Sequence, residues 1–142
     1  MNITGTPVVL LVDDDEANVE LTLMAFEGLS CEVVCASDGT EALDYLYKRG
    51  KFSGREGGLP ALVMMDNKMP VMNGVEALRE IRRDPAFVRL PVIMFTGSAQ
   101  SVDIGEAYAA GANSYIEKPA GRKPFAAAIA AMLQYWTTLN IV

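Results

Sequence analysis

Five short apolar stretches recur along the chain: VVLLV (8–12), EVVCA (32–36), ALVMM (61–65), PVIMF (91–95) and SYIE (114–117). The first is apolar at every position, as expected of a strand covered on both faces rather than on one. Between the runs, apolar residues return at helical spacing. Val19, Leu23 and Phe26 share one side of 16–28, and Ala42, Leu43, Leu46 and Tyr47 repeat in the same way. So do Val75, Leu78 and Ile81. Phe125, Ile129, Met132, Leu133 and Trp136 mark the face of a last helix, with Pro124 suited to its first turn. SVDIGEAYAAGA (101–112) is the least regular segment, because Gly105 interrupts it. The glycine-rich GKFSGREGGLP (50–60) predicts a mobile surface loop before the third strand.

Strands alternating with helices predict βαβ units, hence an α/β fold with a parallel sheet covered by helices on both faces. No repeat, low-complexity tract or second domain interrupts the pattern. In such sheets the functional crevice lies at the C-terminal ends of the strands. The residues that end each strand are therefore the candidates for chemistry.

The first strand ends in three adjacent aspartates, LLVDDDEAN. Like charges packed at a strand end repel and resist desolvation. Register with the strand assigns Asp13 and Asp14 to the crevice and turns Asp15 toward the first helix as its cap. The third strand ends at Asp66 in MMDNKMPVMNG, the fourth at Thr96 in MFTGS, and the fifth at Lys118 in YIEKP. Oxygen ligands of this kind suit a hard divalent cation, with Mg2+ the natural candidate. A fixed ammonium and a hydroxyl would stabilise a transferred phosphoryl group. Asp66 is then the nucleophile, since a carboxylate can form an acyl phosphate. Metal and Lys118 together would relieve the repulsion among the acids. Asn73 and Gly74 read as turn and helix-start residues.

Composition narrows the picture further. The chain has 142 residues, 51% hydrophobic and 21% charged, which suits one globular domain with a proper core. A net charge of -6 argues against a nucleic-acid surface. No apolar run approaches the roughly 18 residues of a membrane span, and the N-terminus has no signal-peptide pattern, so a cytoplasmic protein is expected. Cys31 and Cys35 lie too far apart along one strand for a disulfide and read as small buried residues in a reducing compartment. There is no histidine, which removes Ser-His and Cys-His catalysis, imidazole-ligated metals and any role as a histidine phosphodonor.

With VDD, D..MP..NG, TG and KP in this order at successive strand ends, the chain resembles the receiver domain of two-component response regulators over essentially its whole length. The long loop before the third strand and the aromatic end LQYWTTLNIV resemble the small regulators paired with bacterial phytochrome-type kinases. The resemblance implies a doubly wound, flavodoxin-like (βα)5 sandwich with strand order 2-1-3-4-5. It implies a single receiver domain over 1–142 without an output domain, Mg2+ as cofactor, and a sensor histidine kinase or phosphotransfer protein as partner. Asp66 would be the phosphoacceptor, Asp14 a direct metal ligand, Asp13 a ligand mainly through water, and the Lys68 backbone carbonyl a further ligand. Thr96 would close on the phosphoryl oxygens, Lys118 would pair with them, and Tyr115 would be the aromatic that swings inward. The Lys118–Pro119 bond would be cis. A homodimer through the face of helix four, strand five and helix five is also implied, and the apolar tail (Tyr135, Trp136, Leu139, Ile141, Val142) favours it. Such a protein catalyses only its own phosphorylation and dephosphorylation.

Lys68, Gly97 and Ala120-Gly121 depart from the commonest family pattern; Gly97 would leave the pocket open, and Ser98 occupies a position that tunes phosphoryl lifetime in the family. Two rival readings are a Mg2+-dependent phosphohydrolase and a degenerate receiver acting as a phosphorylation-independent interaction module. The first would want an acid two residues after the nucleophile, where Lys68 stands; the second would normally have lost one of the acids, Thr96 or Lys118.

Overall fold

In the computed structural model, which describes residues 5–142, the apolar runs form β1 (Val8–Val12), β2 (Glu32–Ala36), β3 (Leu62–Met65), β4 (Val92–Thr96) and β5 (Ser114–Glu117). They pair in parallel in the order β2-β1-β3-β4-β5. The helices are α1 (Glu16–Phe26), α2 (Gly39–Tyr47), α3 (Gly74–Arg83), α4 (Ser101–Ala110) and α5 (Arg122–Gln134). This is the predicted doubly wound, flavodoxin-like sandwich.

The sheet divides the core in two. Val8, Leu10, Val12, Val63, Met65, Val92 and Met94 pack with α2, α3 and α4. Val9, Leu11, Leu62, Met64, Ile93 and Phe95 pack with α1 and α5, where Phe125, Ile129, Met132 and Leu133 meet them. Alternate residues of one strand thus enter opposite layers, which is why the central strands read as unbroken apolar runs.

Several details differ from expectation. Cys35 is exposed because β2 is an edge strand and lacks a neighbour on one side, and Cys31, just before it, is half-buried. In α1, Thr22 and Phe26 are buried while Leu23 is exposed; the Thr22 hydroxyl donates to the Asn18 carbonyl at 2.8 Å, which lets a polar residue take the inward position. In α2 the buried aromatic is Tyr45 rather than Tyr47. Tyr47 instead lays its ring edge-on to Phe87 and donates its hydroxyl to Asp84 at 2.6 Å. The 50–60 connection is pinned: a short 3-10 turn (Gly50–Phe52) packs Phe52 on Tyr45. Arg55 stacks on the Tyr45 ring and donates to the carbonyls of Tyr45 and Gly58. All peptide bonds among the described residues are trans, the Lys118–Pro119 bond included, in keeping with the intrinsic preference of about 0.5–1 kcal/mol for trans. Among the described residues, no helix is long and apolar enough to cross a membrane.

Candidate functional site

Strand register brings the candidate residues together. β1 and β3 pair with Val12 opposite Met65, so Asp13 and Asp66 follow at the same level. The Asp66 amide donates to the Val12 carbonyl at 2.9 Å, and the Asp13 amide to the Ala36 carbonyl at 3.1 Å. β4 and β5 pair with Thr96 opposite Glu117, and the Lys118 amide donates to the Thr96 carbonyl at 2.7 Å. All four side chains therefore leave the sheet at its C-terminal edge, where the backbone ladder ends and polar groups need other partners.

Lys118 and Asp13 form the tightest pair. The ammonium donates to Asp13 Oδ2 at 2.7 Å, and both side chains are largely buried. Asp13 Oδ1 accepts the Asp15 amide at 3.0 Å, so both of its oxygens are engaged. The same ammonium lies 3.8 Å from Asp66 Oδ2, and Asp66 Oδ1 accepts the Asn67 amide at 2.9 Å. Asp15 caps α1 as expected, accepting the amides of Ala17 at 3.0 Å and Asn18 at 3.1 Å.

Burial pushes the Asp66 carboxyl above the usual aspartate range, against the pull of the Lys118 ammonium; the Asp13 charge adds to the rise, while the Thr96 hydroxyl and the Asn67 amide oppose it. Carboxylate oxygens of Asp13, Asp14 and Asp66 lie within 4.8 Å of one another. Three carboxylates against one ammonium leave two negative charges uncompensated. Asp14 is exposed and Asp66 still reaches the surface in part, so both can offer an oxygen to an entering ion. The donor set thus fits a hard divalent cation in charge and in chemistry.

An open cavity of about 590 Å3 stands over Asp66, lined by Asn18, Lys68, Thr96, Gly97, Ser98 and Lys118 among others. Lys68 is exposed at its rim, so no acid occupies the second position after Asp66. A side chain at Gly97 would meet open space, as the bare position in the sequence implied. Tyr115 is half-buried on β5 and donates its hydroxyl to the Ser98 carbonyl at 2.7 Å. Burial raises its pKa, and the Asp103 charge adds to the rise.

Four positions matter more than residue type alone suggested. Asn18 lines the cavity although it reads as an ordinary helix residue. Asn67 accepts the Val75 amide at 3.2 Å and its carbonyl accepts the Gly74 amide at 2.9 Å, which clamps the start of α3 beneath Asp66. Asn73 caps α3 in a reciprocal capping box with Glu76, and Gly74 lies against the Asp66 backbone so closely that a Cβ there would stand 2.2 Å from its oxygen. The Asn-Gly pair was visible as a helix start; its contact with the acidic residue required the fold.

Residues 9–130 match the response regulator receiver domain. Among solved structures, the bacteriophytochrome response regulator RtBRR is 42% identical, with a TM-score of 0.78 over 96% of this chain and 83% of that one. The phosphorylated cyanobacterial phytochrome response regulator RcpA is 29% identical, with a TM-score of 0.88 over 96% and 98% of the two chains. Response regulator Rcp1 of Synechocystis is 27% identical over 91% of this chain and 88% of its own length, and its Mn(2+)-bound form superposes with a TM-score of 0.85. This chain spans 85% of one curated relative but only 46% to 51% of others. Receiver domains are signalling proteins rather than classical enzymes, and the fold, the converging strand ends and the match together show that the chain belongs to the response regulator receiver domain family.

Proposed function

We propose that this protein is a single-domain response regulator that accepts a phosphoryl group on Asp66 from the histidine of a sensor kinase, of phytochrome type, or of a phosphotransfer protein. The observation that carries the reading is the convergence at the sheet's C-terminal edge of the Asp66 carboxylate, the Lys118 ammonium and the Thr96 residue, which line one open cavity, with the carboxylates of Asp13 and Asp14 drawn up beside Asp66. In the transfer, an Asp66 oxygen bonds to phosphorus as the phosphorus–nitrogen bond of the donor breaks, and the electron pair stays on the donor's imidazole nitrogen. The chain itself has no histidine, so the donor is another protein or a small acyl phosphate.

Asp13, Asp14, Asp66 and the Lys68 backbone carbonyl would hold Mg2+, which when bound neutralises charge on the phosphoryl oxygens. Lys118 is tethered to Asp13 close beside Asp66 and supplies fixed positive charge without reorganisation. Thr96 offers a hydroxyl to a phosphoryl oxygen. The added charge favours the arrangement in which Thr96 and Lys118 both meet it, drawing on the β4–α4 loop, to which Tyr115 is bonded, and reshaping the α4-β5-α5 face.

The test is intact mass after incubation with Mg2+ and acetyl phosphate, alongside Asp66→Asn. One phosphoryl group added to the wild type, and absent from the variant and from the metal-free sample, is the expected result. No adduct in the wild type would overturn the proposal.

A further inference from the structure

The loop between β4 and α4 is attached chiefly through one residue. Ser98 lines the cavity over Asp66. Its carbonyl accepts the Tyr115 hydroxyl at 2.7 Å, and its own hydroxyl donates to Asp103 Oδ2 at 2.5 Å. The Gln100 amide points at the same hydroxyl oxygen at 3.4 Å. A side chain at Gly97 would find no atom within 4 Å, so no neighbour stands against the loop on that side. The α4 N-cap, Gln100, makes no side-chain capping bond, and Asp103 is the acid of the first turn. Its carboxylate is favoured there by the helix dipole and remains an acceptor.

A serine hydroxyl has a single proton. While Asp103 holds it, Ser98 cannot donate to a phosphoryl oxygen or to a water approaching phosphorus. We propose that Asp103 is a positioning residue that keeps the Ser98 hydroxyl out of the chemistry at Asp66 and thereby lengthens the life of the phosphorylated state. The inference rests on the phosphoacceptor reading above and deepens it. In the step concerned, a water oxygen bonds to phosphorus and the bond from phosphorus to the Asp66 oxygen breaks. The electron pair returns to the carboxylate, and a water proton passes to solvent as orthophosphate leaves. With Asp103 removed, the Ser98 hydroxyl is released to hold that water, and the same change frees the Ser98 end of the Tyr115 contact.

The experiment compares wild type, Asp103→Ala, Asp103→Asn, Ser98→Ala and the Asp103→Ala/Ser98→Ala double variant. Loss of the phosphoryl group is followed by intact mass after the donor is removed. Asp103→Ala is expected to shorten the lifetime at least threefold. Asp103→Asn keeps an acceptor oxygen and should stay close to wild type. The double variant should decay like Ser98→Ala alone. An unchanged or longer lifetime in Asp103→Ala, or the same shortening in the Ser98→Ala background, would overturn the proposal. The Tyr115 ring resonance in the unphosphorylated proteins separates this inference from the reading it rests on. If the wild type takes no phosphoryl group, the phosphoacceptor reading fails. The hold of Asp103 on Ser98 is then judged by that resonance alone: a shift in Asp103→Ala that is absent when Ser98 is already alanine supports it, and any other pattern rejects it.

Discussion

A methyl group at position 74 would stand 2.2 Å from the Asp66 carbonyl oxygen and 3.0 Å from the Asn67 Cα, both on backbone that cannot step aside. Gly74→Ala is therefore expected to cost about 3 kcal/mol, the upper range for overpacking, and to reduce the yield of phosphorylated protein by displacing Asp66. Gly105→Ala is the control. It also sits within a helix, but a Cβ there meets open space, so thermal melts should show a gain of up to about 1 kcal/mol. Asp66 itself carries a pH signature. Its folded carboxyl is raised by burial, so the folded chain holds that proton more tightly than the unfolded chain does. Stability must then fall as pH rises from the ordinary aspartate value of 3.8 through the raised one. Asp66→Asn cannot ionise and escapes this loss. Without metal, the variant should melt above wild type at pH 7, and the gap should narrow as pH falls toward the ordinary value. A gap that does not change with pH would show that hydrogen bonding, not charge, sets the difference. Added Mg2+ should raise the wild-type melting temperature more than that of the variant.

Helix α1 turns the same acid cluster into local structure. Asp15 holds two of the orphan amides at its start, and its own amide is held by Asp13. Asp15→Ala should cost about 1 kcal/mol in chemical denaturation while leaving phosphorylation of Asp66 in place, since Asp15 lies outside the group of carboxylates that converge. A loss of phosphorylation without a loss of stability would move Asp15 into the site itself. This cap was legible in the sequence, as were the five strands, because unbroken apolar runs and an acid just after a strand end report local physics. What was not legible depends on neighbours distant along the chain. Cys35 is exposed because of strand order, which no local pattern encodes. The exchange of Tyr45 for Tyr47 and the pinning of the 50–60 connection arise from Phe52, Arg55, Asp84 and Phe87, contacts that only the folded chain creates. The strand-end residues were readable as a set because topology brings every C-terminal strand end to one edge. The Ser98–Asp103 bond was not, since a serine and an acid five residues apart in a loop and a helix start make no distinctive pattern.

At the scale of the whole molecule, two separate groups of exposed apolar residues bear on the expected dimer. Val102 and Tyr108 lie on α4. The tail lies elsewhere: Trp136, Thr137, Asn140 and Val142 line a groove with Pro7, Pro60 and Pro91, beneath the strand ends opposite Asp66. The tail that favoured a dimer therefore does not itself mark the α4-β5-α5 face, and the two areas make different predictions. A dimer through α4 should appear in sedimentation at tens of micromolar, tighten when phosphorylation reshapes that face, and loosen about tenfold in Val102→Glu, which places a charge on an apolar contact. Leu139→Ser, on the tail, should leave it intact. Two chains of net charge -6 repel, so raising the salt should strengthen association by screening, with a Debye length of about 8 Å at physiological ionic strength. A monomer under all these conditions would remove the dimer. A dimer indifferent to Val102→Glu but lost in Leu139→Ser would place the contact at the far end of the sheet, where a change at Asp66 has no short path to it.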